Sequence, residues 1–473
     1  MTKSEQTLED FQFIIDELNR QSKWSFADFK QHWEKHPEDK YDVLPLKNGS
    51  HICANAAVGQ RFRDLAERNS ESDQERNSYD RASFVDALKR QFVHHFVELG
   101  RQLDQAAADK LVGKALSNLK KQRKEITHFV PCEITSLRWA QEFQIGNVKF
   151  YPMTAFRDMY METIRSTFDQ RNLEIEVAWK RNEETGKKPL FPTATLEGTL
   201  TARQQLQNEF EDFYNRLGWI AEITVPPCLP DISFARATET VNAALDVLKL
   251  FLGPDAGKSF RIAYDKGFSP RSSLLTRDEV GEFHTTWTIG GYGALTSENW
   301  YEDLRRLFPM ELQVTGITVN HLLNPKRATP LFEKWLGALL WYGQGVSENN
   351  YGAKIVKYVA ALEQLTVAKK SSDLDITKTV TLRTKFLCRR DNENIDDMEN
   401  TNESIDKLYG YRSDLMHGQL SPSSPKIHDI AKRSGKIVQH ALFAALHMFV
   451  YLATDKRDSL KELEKEYRLH VQR

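Results

Sequence analysis

Cysteine is scarce in this chain of 473 residues, which contains only four. No two of them are separated by just two residues, the spacing typical of paired zinc ligands, so the sequence predicts no structural zinc site. Fewer than one cysteine per hundred residues also argues against a disulfide framework. We therefore interpret all four as small buried apolar side chains: Cys53, Cys132, Cys228 and Cys388.

A long apolar run is also lacking. The longest apolar stretch, residues 437–453, includes Gln439, His440 and His447 and is shorter than the roughly 20 residues that cross a bilayer. The first ten residues are polar and acidic, unlike the apolar core of a signal peptide. The sequence therefore predicts a buried helix at this stretch, no membrane span and a cytoplasmic location.

Neither sign of charge is in excess, because the formal net charge is -1. The chain as a whole is therefore not a polycation, and a nucleic acid would have to bind to a local basic surface. Residues 323–473 contain 24 Lys and Arg against 19 Asp and Glu, whereas the rest of the chain contains 41 against 47. This asymmetry favours the C-terminal part as the one that contacts nucleic acid.

Helical periodicity dominates residues 1–126. Apolar residues recur at intervals of three and four near residues 8–18 and again near 84–96, which predicts two amphipathic helices. A third helix is predicted at 106–121. The polar segment 67–83 is predicted to be a linker or loop.

Residues 127–322 change in character. Segments with a β-pattern alternate there with helical ones, which predicts an α+β domain. The predicted helices are 202–217 and 232–252. The predicted strands are 127–134, 143–151, 173–179, 219–225 and 283–289.

Beyond residue 323 the β-patterns stop. Periodicity predicts five helices with short connections, an all-α bundle, and a last charged helix. These helices are predicted at 331–342, 350–368, 376–389, 403–417, 425–454 and 460–470. The predicted fold class is therefore multidomain and predominantly α, with an α-helical N-terminal region (1–126), an α+β middle domain (127–322) and an all-α C-terminal bundle (323–473).

An Arg-x4-His motif, Arg412-Ser-Asp-Leu-Met-His417, lies late in the predicted bundle. It follows an aromatic helix, Trp335–Tyr342, and a helix that contains Ala361-Leu-Glu-Gln-Leu365, and it precedes the long apolar helix. With these features in this order, residues 324–455 resemble the HEPN superfamily, specifically its Apea-like branch. The C-terminal bundle is therefore expected to be a HEPN nuclease domain.

The motif residues suit RNA cleavage in which the 2′-hydroxyl attacks the adjacent phosphate without a metal. Histidine titrates near pH ~6.5, so we assign proton transfer to His417. Arginine stays charged and matches phosphate oxygens bidentately, so we assign the scissile phosphate to Arg412. Five residues at about 100° each separate the two side chains by about 140° around a helix, which places them poorly for one substrate atom within one chain.

The resemblance implies an endoribonuclease that needs no metal or other cofactor. It also implies a composite site, built from two copies of the motif across a homodimer of HEPN domains. Its biological role would be anti-phage defence in bacteria, by abortive infection. RNA would be the substrate, and the long region before residue 323 would sense a phage-derived trigger or restrain the nuclease.

Four further residues are assigned auxiliary roles. Glu363 matches a glutamate of the family and either holds Arg412 by an ion pair or is a surface carboxylate. Ser413 stands where HEPN nucleases often have Asn, Asp or His, and it is common in the Apea-like branch. Asp414 either orients a base or faces solvent. Tyr411 is included because it precedes the arginine within the matched motif.

Three basic residues are predicted to contact the RNA backbone: Lys385, Arg389 and Arg390. They are followed at once by an acidic segment, residues 391–399, which is hypothesised to mask them and inhibit the enzyme.

Two other functions stay open. The bundle is alternatively a non-catalytic HEPN module that binds RNA or a nucleotide or that dimerises. It is alternatively a scaffold, in which the arginine and histidine of the motif make only a structural contact.

Overall fold

The computed structural model describes residues 2–35, 42–46, 50–70, 79–134, 141–185, 195–215, 218–263, 271–277, 283–289, 299–324, 329–368, 375–390 and 398–471. The described chain is predominantly helical, as predicted, with small antiparallel sheets. It divides into two compact units, one formed by residues 1–126 with 225–236 and the other by 127–224 with 237–473. The further separation of 127–322 from 323–473 stays a prediction.

The first unit is mainly helical. Its elements are α1 (Lys3–Gln21), α2 (Phe26–Lys35), β1 (Asp42–Pro45), β2 (His51–Ala54), α3 (Ala56–Asn69), α4 (Arg81–Phe92), a π-helical turn (Val93–Glu98) and α5 (Gln105–Gln122). The three predicted helices are confirmed as α1, α4 and α5. The antiparallel hairpin of β1 and β2 was not predicted, and its Cys53 is exposed, so the prediction of four buried cysteines is wrong at this position. Of the predicted linker, residues 71–78 lie outside the described residues.

Helix caps and an aromatic core explain this arrangement. The side chains of Asn55, Asp80 and Asp104 accept hydrogen bonds from main-chain N–H groups in the first turns of α3, α4 and α5, which otherwise have no partner there. In the core, Phe11 stacks on Phe92 with ring centroids 5.8 Å apart. Both rings are fully buried, so the apolar faces of α1 and α4 meet.

A five-stranded sheet in the order β4-β5-β6-β3-β7 lies next along the chain. Its strands are β3 (Lys124–Glu133), β4 (Phe143–Ile145), β5 (Val148–Pro152), β6 (Trp219–Cys228) and β7 (Arg261–Ile262). The strands predicted at 127–134 and 219–225 are thus confirmed, whereas the segment predicted as a strand at 143–151 forms an antiparallel hairpin of β4 and β5. Phe143 of the edge strand stacks on Phe150 with centroids 4.7 Å apart, and its ring also contacts the buried Trp219 with centroids 5.4 Å apart.

The strand predicted at 173–179 is wrong. These residues lie within α6 (Met153–Glu184), a helix of 32 residues. Their alternating apolar residues do not form a buried face, because Leu173 and Val177 are 60% and 59% exposed. Leucine, glutamate and alanine favour a helix, and no described strand pairs with this segment, so the helix continues through it.

The remaining elements before the bundle are mostly helical. They are α7 (Leu196–Asn215), α8 (Pro230–Ala256), β8 (Arg271–Arg277), β9 (Phe283–Ile289), α9 (Trp300–Leu307) and α10 (Pro309–Asn320). The predicted helices 202–217 and 232–252 and the strand 283–289 are confirmed in α7, α8 and β9. Helix α8 is kinked at Gly253, whose φ of 86° is unfavourable for residues with a side chain.

The C-terminal helices form a bundle in which one helix is central. They are α11 (Pro330–Ser347), α12 (Tyr351–Thr366), α13 (Ile376–Arg390), α14 (Met398–Met416), α15 (His428–Thr454) and α16 (Leu460–Val471), and they confirm the six predicted helices. Helix α15 packs against α11, α12, α13 and α14 and has fourteen buried residues. The indole N–H of Trp335 donates to the main-chain oxygen of Leu442 at 3.0 Å, which fixes α11 on α15.

One stretch, Pro425–Thr454, is long and apolar enough to cross a membrane by length and composition alone. Over half of its most apolar window, 56%, is buried inside the protein. A central helix of a bundle has the same composition, so this stretch is weak support for a membrane span.

A buried ion pair within α8 contacts α11 through hydrogen bonds of its lysine. Asp246 and Lys249 are both 5% exposed, and their side chains lie 2.7 Å apart. The Lys249 ammonium also donates to the main-chain oxygen of Gly343 and to the hydroxyl of Ser347, at 3.4 and 3.0 Å. A Cβ atom at position 343 would overlap the Asp246 carboxylate, so these helices can approach this closely only because a glycine lies there.

The sheet contains a carboxyl group with an unusual pKa. Glu133 at the end of β3 is 6% exposed, and burial raises its pKa to about 7, although the charge of Arg261 opposes the shift. A carboxyl group whose pKa is higher in the folded than in the unfolded protein stabilises the fold at low pH. That stabilisation is lost as the pH rises through about 7.

We expect Glu133→Gln to reduce this pH dependence. Between pH 5 and pH 8 the wild type should lose about 2 kcal/mol more of unfolding free energy than the variant, because only the wild type must ionise a buried group. Urea unfolding at both pH values measures the difference. Glu125→Gln, on the same strand but exposed, is the control and should behave as the wild type. Equal pH profiles for Glu133→Gln and wild type would contradict the expectation.

Candidate active site

The Arg-x4-His motif occupies the C-terminal end of α14. The helix ends at Met416, and His417 is the first residue beyond it. The main-chain N–H groups of Gln419 and Leu420 both donate to the main-chain oxygen of Asp414, at 2.8 and 3.1 Å, which closes the last turn. Gly418 adopts a φ of 71°, the left-handed conformation that commonly ends a helix. As a result His417 lies at an exposed helix end.

Arg412 lies one turn before that end and contacts two neighbours. Its Nη2 is 3.7 Å from Oε1 of Glu363 on α12. Its guanidinium carbon is 5.8 Å from the centre of the Tyr409 ring, within cation–π range. Tyr409 in turn donates its hydroxyl hydrogen to the same Oε1 of Glu363 at 2.6 Å. The three side chains therefore form one connected cluster, which we call the arginine cluster.

The arginine cluster holds Arg412 without enclosing it. The Arg412 side chain is 33% exposed and that of Glu363 is 28% exposed. A guanidinium group has five N–H donors, and the ion pair with Glu363 uses few of them. The remaining donors can bind an anion from solvent. The ion pair proposed from the sequence is thus present, whereas its role in activity stays a prediction.

Tyr409 is the site residue that the sequence analysis missed. Burial, followed by the hydrogen bond and the charge of Glu363, raises the pKa of Tyr409 to about 12, so the phenol stays protonated and keeps donating. Its position three residues before Arg412 puts both on one helical face. That spacing was the available signal, but a tyrosine before a basic residue is too common to single out.

The other predicted auxiliary residues make no comparable side-chain contact with Arg412 or His417 in the described residues. Tyr411, Ser413 and Asp414 are each half-buried on α14. The main-chain oxygen of Ser413 accepts from the N–H of His417 at 3.0 Å, an ordinary helical bond. In the described part of the chain, no hydrogen bond or ion pair joins the Asp414 side chain to His417. The structure therefore brings together Arg412 and Glu363 but leaves these three as neighbours in sequence.

Arg412 and His417 do not contact each other either, within the described residues. This agrees with their expected separation of about 140° around the helix. A single chain therefore presents an anchored arginine and, one turn further on, an exposed histidine. Across the described ranges, no group of three or more His, Cys, Asp or Glu residues is arranged to hold a metal ion.

The three predicted RNA contacts differ in their surroundings. The ammonium group of Lys385 is 2.7 Å from the carboxylate of Asp406 on α14, and its side chain is only 19% exposed. An RNA phosphate would have to compete with that ion pair. Arg389 and Arg390 end α13 and are exposed. Most of the acidic segment thought to mask them, residues 391–397, lies outside the described residues.

Comparisons of this chain with protein-family models, with curated proteins and with solved structures found no match. The functional argument therefore rests on the residues of the motif and on their geometry.

Two glycines of this region give a matched test of the helix end. Gly418 needs its left-handed conformation, so Gly418→Ala should cost about 1 kcal/mol of unfolding free energy. Gly410 lies exposed inside α14, where a Cβ atom meets nothing within 4 Å, so Gly410→Ala should gain about 0.5–1 kcal/mol. Denaturant unfolding measures both. Changes of the same sign would show that α14 does not end as described.

Proposed function

We propose that this protein is a metal-independent endoribonuclease of HEPN type. One observation carries the proposal: Arg412 is fixed by Glu363 and Tyr409 yet keeps a third of its side chain exposed, five residues before an exposed histidine. An anchored, accessible arginine suits the binding of a phosphate, and a histidine suits proton transfer. The helical surroundings of the motif support the same assignment.

In the proposed reaction, the 2′-oxygen of a ribose attacks the adjacent phosphorus and the 5′-oxygen of the next nucleotide leaves. His417 accepts the proton of the 2′-hydroxyl or delivers one to the leaving oxygen. Arg412 donates hydrogen bonds to the non-bridging phosphate oxygens, where negative charge accumulates. Glu363 and Tyr409 act on the arginine alone, because they fix its orientation before the RNA arrives.

The proposed active form is a homodimer that pairs the HEPN domains. Within one chain the arginine and the histidine of the motif make no contact in the described residues, so a second motif is a natural source of the missing partner. In the dimer, Arg412 of one chain and His417 of the other would face the same phosphate.

The proposed setting is bacterial anti-phage defence in the cytoplasm, by abortive infection. More than 300 residues precede the bundle, far more than hydrolysis requires. A toxic ribonuclease must be restrained in an uninfected cell. The preceding region would therefore sense a phage-derived trigger and release the nuclease.

Cleavage of total RNA in the presence of EDTA tests the proposal. We expect the wild type to cut RNA, and both Arg412→Ala and His417→Ala to lose at least about 100-fold in rate, because each removes a group used in the transition state. Arg468→Ala and His470→Ala remove the same residue types from the exposed face of α16 and serve as controls with full activity. Cleavage that survives in either motif variant, or that requires added metal, would contradict the mechanism.

A second candidate function is a non-catalytic HEPN module that binds RNA or a nucleotide, or that only dimerises. Two observations favour it: Arg412 is partly exposed, and it does not contact His417 in the described residues. Binding of RNA or a nucleotide would need the arginine alone. RNA binding that Arg412→Ala abolishes, with no cleavage by the wild type, would support the module.

A further inference from the structure

Five exposed cations lie near the other end of α14. Three helices meet there: Lys385 of α13 pairs with Asp406 of α14, Arg433 of α15 donates to Asn400 of α14 at 2.5 Å, and the Cys388 thiol of α13 contacts a main-chain oxygen of α15. The cations project around this junction, and we call them the basic surface: Arg389, Arg390, Lys432, Arg433 and Lys436.

The cations of α15 share one face of the helix. Lys436 follows Lys432 by four residues and Arg433 by three, so the three exposed side chains lie within an arc of about 100° around the helix. Asp429 is the exposed carboxylate on that face. The nearby carboxylates of Asp406 and Glu403 are already paired with lysines of α13 and α14. No ion pair joins the basic surface to a carboxylate among the described residues, so it keeps a net positive charge.

The stability of the fold accounts for part of this placement, because Arg433 donates to Asn400, but it does not account for Lys432 and Lys436. Arg389 and Arg390 end a helix, where a cation is favourable because the helix dipole is negative there. Lys432, Arg433 and Lys436 lie in the first third of α15, toward the positive end, and repel one another. Three cations gathered at that end, with no acidic partner among the described side chains, are instead the arrangement expected of a surface that binds a polyanion.

The distance to the motif suits a nucleic acid strand. Asn400, which contacts the basic surface, and Arg412 are twelve residues apart on the same helix, a rise of about 18 Å. An RNA strand spans this length with a few nucleotides, well within the roughly 4–16 nucleotides that single-strand-binding surfaces cover. Because the two residues also lie about 120° apart around α14, an RNA that touches both ends must cross the helix obliquely.

We propose that the basic surface binds the sugar–phosphate backbone of single-stranded RNA and feeds it toward Arg412. The link to cleavage rests on the function proposed above, whereas the binding itself does not. Recognition at the surface is by charge, so it is independent of base sequence. Lys432, Arg433 and Lys436 thereby join the two arginines of α13 as substrate-binding residues.

Binding is measured on full-length protein with His417→Ala in every sample, so that RNA is not cut. The probe is a labelled 20-nucleotide single-stranded RNA, followed by fluorescence anisotropy from 50 to 200 mM salt. The test variant carries Lys432→Gln, Arg433→Gln and Lys436→Gln. The control variant removes the same charge from the exposed face of α16, through Lys461→Gln, Lys465→Gln and Arg468→Gln.

We expect the test variant to bind the RNA at least about tenfold more weakly. The magnitude of its slope of log affinity against log salt should fall by about 2, because the loss of three phosphate contacts reduces the number of counterions released. The control should match its parent. Arg389→Gln with Arg390→Gln is an independent second variant and should lower the slope by about 1. Equal binding by test and control variants would overturn the proposal. The proposal would also be overturned if the test variant bound duplex DNA more weakly but bound the single-stranded RNA as tightly as the control variant does.

The two proposals fail separately. If the wild type binds RNA through the basic surface but never cuts it, the nuclease is refuted and the binding surface stands. If it cuts RNA, yet the substitutions in α15 leave both the affinity and the KM unchanged, the surface is refuted and the nuclease stands.

Discussion

The burial of α15 is the constraint on which the C-terminal half of the chain depends. Four other helices pack on it, and fourteen of its residues are buried. Complete burial of one large apolar side chain, such as Leu442 or Phe449, contributes about 1.5–3 kcal/mol relative to exposure. Because α11 to α14 share this core, none of them can shift alone. The orientation of α14, and of every side chain on it, follows from that packing.

The fixed position of α14 determines how the side chains of the candidate site are held. Arg412 can be anchored by two side chains, Glu363 and Tyr409, only because α12 and α14 are both held on the same core. The other end of the helix carries the contact between Asn400 and Arg433. The anchored arginine and the basic surface are therefore held at a fixed separation by one helix, whereas the exposed histidine at its end is free to meet a second molecule.

Secondary structure could be predicted from the sequence where the spacing of apolar residues fits only a helix or only a strand. The helices of the bundle were predicted well because their apolar residues recur at intervals of three and four over long stretches. The alternating residues 173–179 fit a strand and a helix equally, and only the lack of a pairing strand decides between them. The hairpin of β1 and β2 has four residues in each strand, too few for a pattern. Likewise Arg412 and Glu363 could be named from the motif, but Tyr409 and the partner of Lys385 depend on how helices pack.

Insertions before and after the helix end at Gly418 are expected to have different effects on the motif. An insertion of one residue between Arg412 and His417 would turn everything beyond it by about 100° and would carry His417 to another face. Residues 421–427 lie past the glycine, so their number can change without rotating either side chain of the motif. Length variation in relatives of this chain is therefore expected only after the glycine, and the spacing of four residues inside the motif is set by the pitch of the helix.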